Sequence, residues 1–105
     1  SNMKIKPYPI ETARYDANKN LTLTTIDSIA TALNKQIEQH SKEGKKYAIL
    51  TYSVWEHLST KEISKIEKTI IDVYETEGYD ISISTILSKD YYKIQIICDW
   101  GMEDE

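Results

Sequence analysis

The chain has 105 residues, of which 40% are hydrophobic and 29% are charged, and its formal net charge is −4. This length and composition are typical of one soluble globular domain. The mild acidity argues against nucleic acids and membrane surfaces as partners, since both favour basic proteins. No apolar run approaches the roughly 18 residues that a membrane span needs. Cys98 is the single cysteine, which excludes an internal disulfide and a thiolate metal cluster and favours a reducing, cytoplasmic compartment.

Residues 1–20 show no sustained hydrophobic period. Residues 1–2 precede Met3 and are typical of a remnant of tag cleavage. The polar run at 16–20 predicts a turn, and chain termini without packing signals are commonly poorly ordered. We therefore predict a loosely packed N-terminal arm over residues 1–20. The alternative is an arm that docks on a partner through three anchors: Tyr8, Ile10 and Tyr15.

A helical pattern begins at Thr24, the predicted N-cap, and ends at Gly44, which supplies a left-handed residue. One apolar stripe runs along this helix: Ile26, Ile29, Leu33 and Ile37. Residues 46–54 then alternate as a strand. We expect the more uniformly apolar of its two faces to meet the helices: Ala48, Leu50, Tyr52 and Val54.

A second helix begins with a capping box, in which Ser59 and Glu62 each accept a hydrogen bond from the other residue's amide. Leu58 and Ile63 have the spacing of a hydrophobic staple, and Gly78 ends the helix, so that Tyr79 can fold back on Tyr74. Its apolar stripe has five members: Ile63, Ile66, Ile70, Val73 and Tyr74. Its end is acidic, with Asp72, Glu75 and Glu77 placed against the helix dipole. These acids are either solvated or face a basic partner.

Residues 80–87 and 91–100 alternate as two strands joined by a turn at 88–90. The last strand is the most apolar, which favours a central position. We therefore predict an α+β fold of order α-β-α-β-β, a split βαβ in which both helices cover one face of a three-stranded mixed sheet with strand order 1-3-2. This single domain takes residues 21–100, and residues 101–105 form an acidic tail. The predicted core comprises Ile29, Leu33, Ile37, Leu50, Tyr52, Ile66, Ile70, Ile83, Ile94 and Ile96.

The opposite face of such a sheet carries no helix. Aromatic and small polar side chains alternate there, as on surfaces that pair with another molecule. Either the N-terminal arm covers this face, or another chain covers it, or it is exposed to solvent. Its predicted members are Tyr47, Ile49, Thr51, Ser82, Ser84, Tyr91, Lys93, Gln95 and Ile97.

The segment 46–100 runs as a strand, a Leu-Ser capping-box helix, the sequence Glu-Gly-Tyr-Asp-Ile, and a hairpin that closes on a tryptophan. In this order it resembles small uncharacterised proteins of tailed bacteriophages and prophages. The resemblance covers about half of the chain, and its motifs are structural. It implies an accessory or virion-associated role in an infected or lysogenic bacterium, and no catalytic residues of the family map onto this chain.

The sequence shows no arrangement for catalysis or for binding a metal or cofactor. His40 and His57 are two ligands at most, whereas a structural zinc site takes four. Cys98 is predicted to face the core as a small hydrophobe. Ser53 and Ser59 lie near His57 along the chain, but Ser59 is already explained as a helix cap. We therefore predict no enzyme and no small-molecule substrate.

The remaining hypothesis is a non-enzymatic protein that binds a protein partner or a second copy of itself. Its candidate binding residues are Tyr47, Tyr91, Lys93, Gln95 and Ile97. The alternative is a module that binds single-stranded nucleic acid by stacking bases on this sheet face. The net charge and the lack of a Gly-aromatic motif argue against that alternative.

Overall fold

A computed structural model describes residues 4–55 and 58–101. The elements are α1 (Ile10–Lys42), β1 (Tyr47–Val54), α2 (Thr60–Glu77), β2 (Asp80–Ser88) and β3 (Tyr91–Asp99). The α+β class, the element order and the strand order β1-β3-β2 are confirmed. The prediction of a mixed sheet is wrong. Both pairings are antiparallel, because the mutually parallel strands β1 and β2 lie at opposite edges of β3.

The core lies between the two helices and one face of the sheet. Six of the ten predicted core residues are at most 1% exposed: Ile29, Leu33, Ile66, Ile70, Ile94 and Ile96. The other four are half-buried against them: Ile37, Leu50, Tyr52 and Ile83. Val73 is 58% exposed, so its assignment to the apolar stripe of α2 is wrong. It lies at the margin of the stripe centred on Ile70, near the end of the helix, where the sheet no longer covers it.

Helix α1 begins at Ile10, directly after Pro9, and not at Thr24. The polar run at 16–20 is helical, so the predicted turn there is wrong. Extending a helix from a packed half adds one hydrogen bond per residue, and no glycine or proline interrupts residues 10–42. The N-terminal part of α1 is largely exposed, with Ile10 at 62% and Tyr15 at 65%. Whether this segment docks on a partner stays a prediction.

The predicted helix ends are largely confirmed. The Glu62 amide donates to Ser59 Oγ at 3.3 Å. Gly78 has φ of 111°, in the left-handed region. Tyr79 then donates its amide to the Tyr74 carbonyl at 3.0 Å, and the two rings meet edge to face with centroids 5.9 Å apart. These contacts fix the entry of β2 into the sheet.

Two further observations bear on the sequence predictions. The acidic end of α2 is exposed, with no basic residue in the last turn. Across residues 4–55 and 58–101, no helix is long and apolar enough to cross a membrane. His57 and residues 102–105 of the acidic tail lie outside the described residues.

Candidate binding surface

The register of the sheet defines the surface that no helix covers. Buried side chains alternate along each strand with side chains that point away from α1 and α2. Reading across β1, β3 and β2, the outward side chains form successive rows. We call this surface the open sheet face. Its five rows are Tyr47-Asp99-Asp80, Ile49-Ile97-Ser82, Thr51-Gln95-Ser84, Ser53-Lys93-Ile86, and Trp55 with Tyr91-Ser88.

Two apolar regions flank a polar centre on the open sheet face. At one end, Tyr47, Ile49 and Ile97 are 52%, 48% and 40% exposed. At the other end, Trp55 stacks on Tyr91 with ring centroids 4.2 Å apart. Large aromatic and aliphatic groups at both ends of a flat sheet are typical of a surface that another molecule covers.

The five predicted site residues all lie on this face. Tyr47, Lys93, Gln95 and Ile97 are exposed, whereas Tyr91 is half-buried because Trp55 covers part of its ring. The structure therefore brings the predicted residues onto one surface.

Six members of the face are absent from the predicted set, and two of them are large apolar side chains. Trp55 is 62% exposed and Ile86 is 61% exposed. Trp55 lies just beyond the predicted strand at 46–54, although it continues the odd-numbered alternation that begins at Tyr47. Ile86 continues the even-numbered alternation of β2 in the same way. The alternation of strand side chains with a period of two therefore places both Trp55 and Ile86 on this face.

Charge is distributed unevenly along the open sheet face. Asp80 and Asp99 are register partners at one end, and the Asp99 carboxylate accepts the Gly101 amide at 2.7 Å. Lys93 lies toward the other end. Six residues separate it from Asp99 along β3, which corresponds to roughly 20 Å. The face therefore has an acidic end and a basic half.

Cys98, the single cysteine of the chain, points away from this face. Cys98 is fully buried, and its pKa is raised to about 11, first by burial and then by the carboxylates of Asp99 and Asp80. A thiol with this pKa stays protonated at neutral pH, and the thiolate is the nucleophile. The predicted core position of Cys98 is confirmed.

Of the two histidines, only His40 lies among the described residues. His40 Nδ1 lies 3.0 Å from the Tyr47 carbonyl oxygen, where its N–H can donate and tie the end of α1 to the start of β1. His57 lies outside the described residues, and so do its pairings with Ser53 and Ser59. Within the described part of the chain, no three His, Cys, Asp or Glu side chains are placed to hold a metal ion.

A cavity of about 340 Å³ lies between the first half of α1 and the start of α2. Its lining contains three lysines and one carboxylate but no serine, cysteine or histidine: Tyr15, Asn18, Lys19, Thr22, Lys61, Glu62 and Lys65. Thr22 Oγ1 and Glu62 Oε2 are buried there without a hydrogen-bond partner among the described residues. The charge of the lining is therefore mainly basic, around the single carboxylate of Glu62.

No model of a protein family, no curated protein and no solved structure matches this chain. The resemblance to small phage proteins therefore stays a prediction. The geometry of the open sheet face is the strongest observation on function.

Proposed function

We propose that this protein acts without catalysis, by binding another protein through the open sheet face. The observation that carries the proposal is the exposed stack of Trp55 on Tyr91, at the edge of a sheet face that no helix covers. Tryptophan and tyrosine are the residues most enriched among those that contribute strongly to binding. Stacking also holds the two rings in one orientation, so less side-chain entropy is lost on binding.

The rest of the face fits the same role. Ile86 extends the aromatic end, and Ile49 and Ile97 lie opposite each other in the ladder at the other end. Short polar side chains between them, such as Thr51 and Ser84, allow a partner surface to approach closely. Apolar contacts around a small polar centre match the composition of reversible interfaces.

The biological setting of the proposal comes from the resemblance of residues 46–100 to proteins of tailed phages and prophages. On that basis we place the protein in the cytoplasm of a bacterial host, as an accessory factor that acts on a protein target. The acidic net charge of −4 supports a protein target over a nucleic acid.

The proposal is tested by affinity capture from a bacterial lysate with quantitative mass spectrometry. Tyr91→Glu and Ile97→Glu each place a charge on the open sheet face, and we expect both to lose the proteins that the unmodified chain retains. Val73→Glu is the matched control, because Val73 is an exposed apolar residue on α2, away from that face. Equal retention by all three variants would contradict this location of the binding surface.

The second candidate function is binding of single-stranded nucleic acid. The exposed ring of Trp55, stacked on the half-buried Tyr91, offers a platform on which bases can stack, and Lys93 lies in the adjoining row. Asp80 and Asp99 argue against nucleic-acid binding, because two carboxylates on the same face repel phosphates. Fluorescence anisotropy with a mixed-sequence oligonucleotide at low salt decides the point. Absence of binding at protein concentrations of tens of micromolar removes this candidate.

A further inference from the structure

We infer that the open sheet face binds a second copy of the chain, face to face, with the strands of the two sheets running in opposite directions. This inference rests on the proposed role of that face in protein binding and names its partner. It follows from the order of charges along the face and from the symmetry that a pair of identical sheets must obey.

Two identical sheets that face each other around a two-fold axis have two simple arrangements. When the axis runs along the strands, each row meets the same row of the second copy. Asp99 would then face its own counterpart and Asp80 would face Tyr47 of the second copy, so four carboxylates would be desolvated in one row. Such a juxtaposition of like charges costs several kcal/mol, so this arrangement is disfavoured.

When the axis runs across the strands, the order of the rows is reversed. The acidic row then meets the aromatic row, and Tyr47 lies opposite Trp55 of the second copy. Lys93 lies opposite Ile97 of the second copy. It is one row away from Asp99 and Asp80 of that copy. One row is roughly 7 Å along a strand, which an extended lysine side chain can span. Each copy contributes the same contact, so the interface holds two such charge pairs.

The size of the face indicates whether the association belongs to the stable or to the transient class of interfaces. Three strands of about nine residues cover roughly 15 Å by 30 Å, a footprint of about 450 Å² on each copy. The total is about 900 Å², slightly below the 1,000 Å² or more of a stable specific interface. We therefore expect a reversible dimer with a dissociation constant in the micromolar range or weaker.

Sedimentation velocity across a concentration series tests the inference. The mass of the unmodified chain should rise from 12.2 kDa toward twice that value as the protein is concentrated. Lys93→Asp and Asp80→Lys should each weaken self-association by at least about tenfold, since each replaces an attraction with a repulsion. Both positions are exposed, so circular dichroism should show an unchanged fold.

Charge exchange makes the test specific to the reversed arrangement. The double variant Lys93→Asp/Asp80→Lys should associate again, and so should an equimolar mixture of the two single variants. Lys68→Asp on α2 is the control and should behave as the unmodified chain.

Two outcomes would overturn the inference. One is a monomer at every concentration. The other is a dimer whose association is unchanged by the substitutions at Lys93 and Asp80, which is the result expected if the copies pair through their sheet edges. A monomer that still loses its captured proteins on Tyr91→Glu would overturn the second copy as partner but leave the proposed function standing.

Discussion

The Tyr74 hydroxyl donates a hydrogen bond of 2.6 Å to Asn34 Oδ1, which joins α2 to α1 across the core. The same hydroxyl lies 3.2 Å from the Ala30 carbonyl oxygen. Burial, followed by the neighbouring Cys98 and Tyr79, raises the pKa of Tyr74, so the hydroxyl remains a donor at neutral pH. This contact ties the second half of α2 to the middle of α1.

Tyr74→Phe should therefore lower the free energy of unfolding by about 1 kcal/mol, since it removes a buried donor and leaves the ring in place. Urea denaturation followed by circular dichroism measures the change. Tyr79→Phe is the matched control, because the Tyr79 hydroxyl has no hydrogen bond within the described part of the chain. Equal losses in the two variants would show that the contact with Asn34 contributes nothing.

The capping box of α2 is only half formed. Ser59 Oγ accepts the Glu62 amide, but Glu62 Oε2 is buried with no hydrogen-bond partner among the described residues. We expect Ser59→Ala to cost about 1 kcal/mol of stability. Glu62→Gln should leave stability unchanged or raise it by up to about 1 kcal/mol, because it removes the charge from a buried oxygen that has no donor, and such an oxygen destabilises the folded state. Thermal unfolding of the two variants gives the comparison. A larger loss for Glu62→Gln than for Ser59→Ala would mean that the return hydrogen bond forms in solution.

The sheet order was predictable from the sequence because the high apolar content of β3 favours a central position and the other determinants are local. Alternation along β1 and β3 marks which side chains face the helices, and the short turn at Lys89 and Asp90 forces β2 and β3 to be antiparallel neighbours. Gly78 and the capping box then set the length of α2. Each of these signals acts over a few residues, so no tertiary contact was needed to interpret it.

The start of α1 was not predictable in the same way. Asp16, Asn18 and Asn20 favour turns when nothing else fixes the backbone. In the folded chain, Ile29 and Leu33 anchor the second half of the helix in the core, and propagation toward Ile10 then costs little. The Trp55–Tyr91 stack was missed for a related reason. Its two rings are brought together by the register of β1 on β3, which is a long-range relationship.

Cys98 should make stability fall at alkaline pH. The pKa of its thiol rises from 9.0 to about 11 in the folded chain, so the unfolded chain loses this proton at a lower pH. The stabilising contribution is therefore complete below about pH 9 and is lost as the pH rises toward 11. At pH 10 it should have fallen by about 1 kcal/mol.

Urea unfolding of Tyr74→Phe and of the double variant Tyr74→Phe/Cys98→Ala at pH 8 and pH 10 measures this loss. The double variant is expected to be less stable at both values, because it leaves a small cavity in the core. The protein that keeps Cys98 should nevertheless lose more stability between them. Tyr74, whose pKa Cys98 helps to raise, is replaced by phenylalanine in both proteins, so that titration of the remaining tyrosines is common to both and cancels in the comparison. Parallel pH profiles would contradict a raised pKa for the thiol.

The exposed first part of α1 should be dispensable for the fold. No residue between Ile10 and Asn20 is buried, whereas Thr22 and Thr25 are 2% and 5% exposed. A chain that begins at Leu21 should lose helical signal in far-ultraviolet circular dichroism and less than about 1 kcal/mol of stability, because unpacked helix contributes little in water. A chain that begins at Ile26 also loses both buried threonines and should be clearly less stable. If the chain that begins at Leu21 were as unstable as the chain that begins at Ile26, residues 4–20 would have to pack on the domain.

A different outcome would bear on the binding surface. If the chain that begins at Leu21 kept its stability but lost its captured proteins, the docking-arm alternative with Tyr8, Ile10 and Tyr15 as anchors would gain support over the open sheet face.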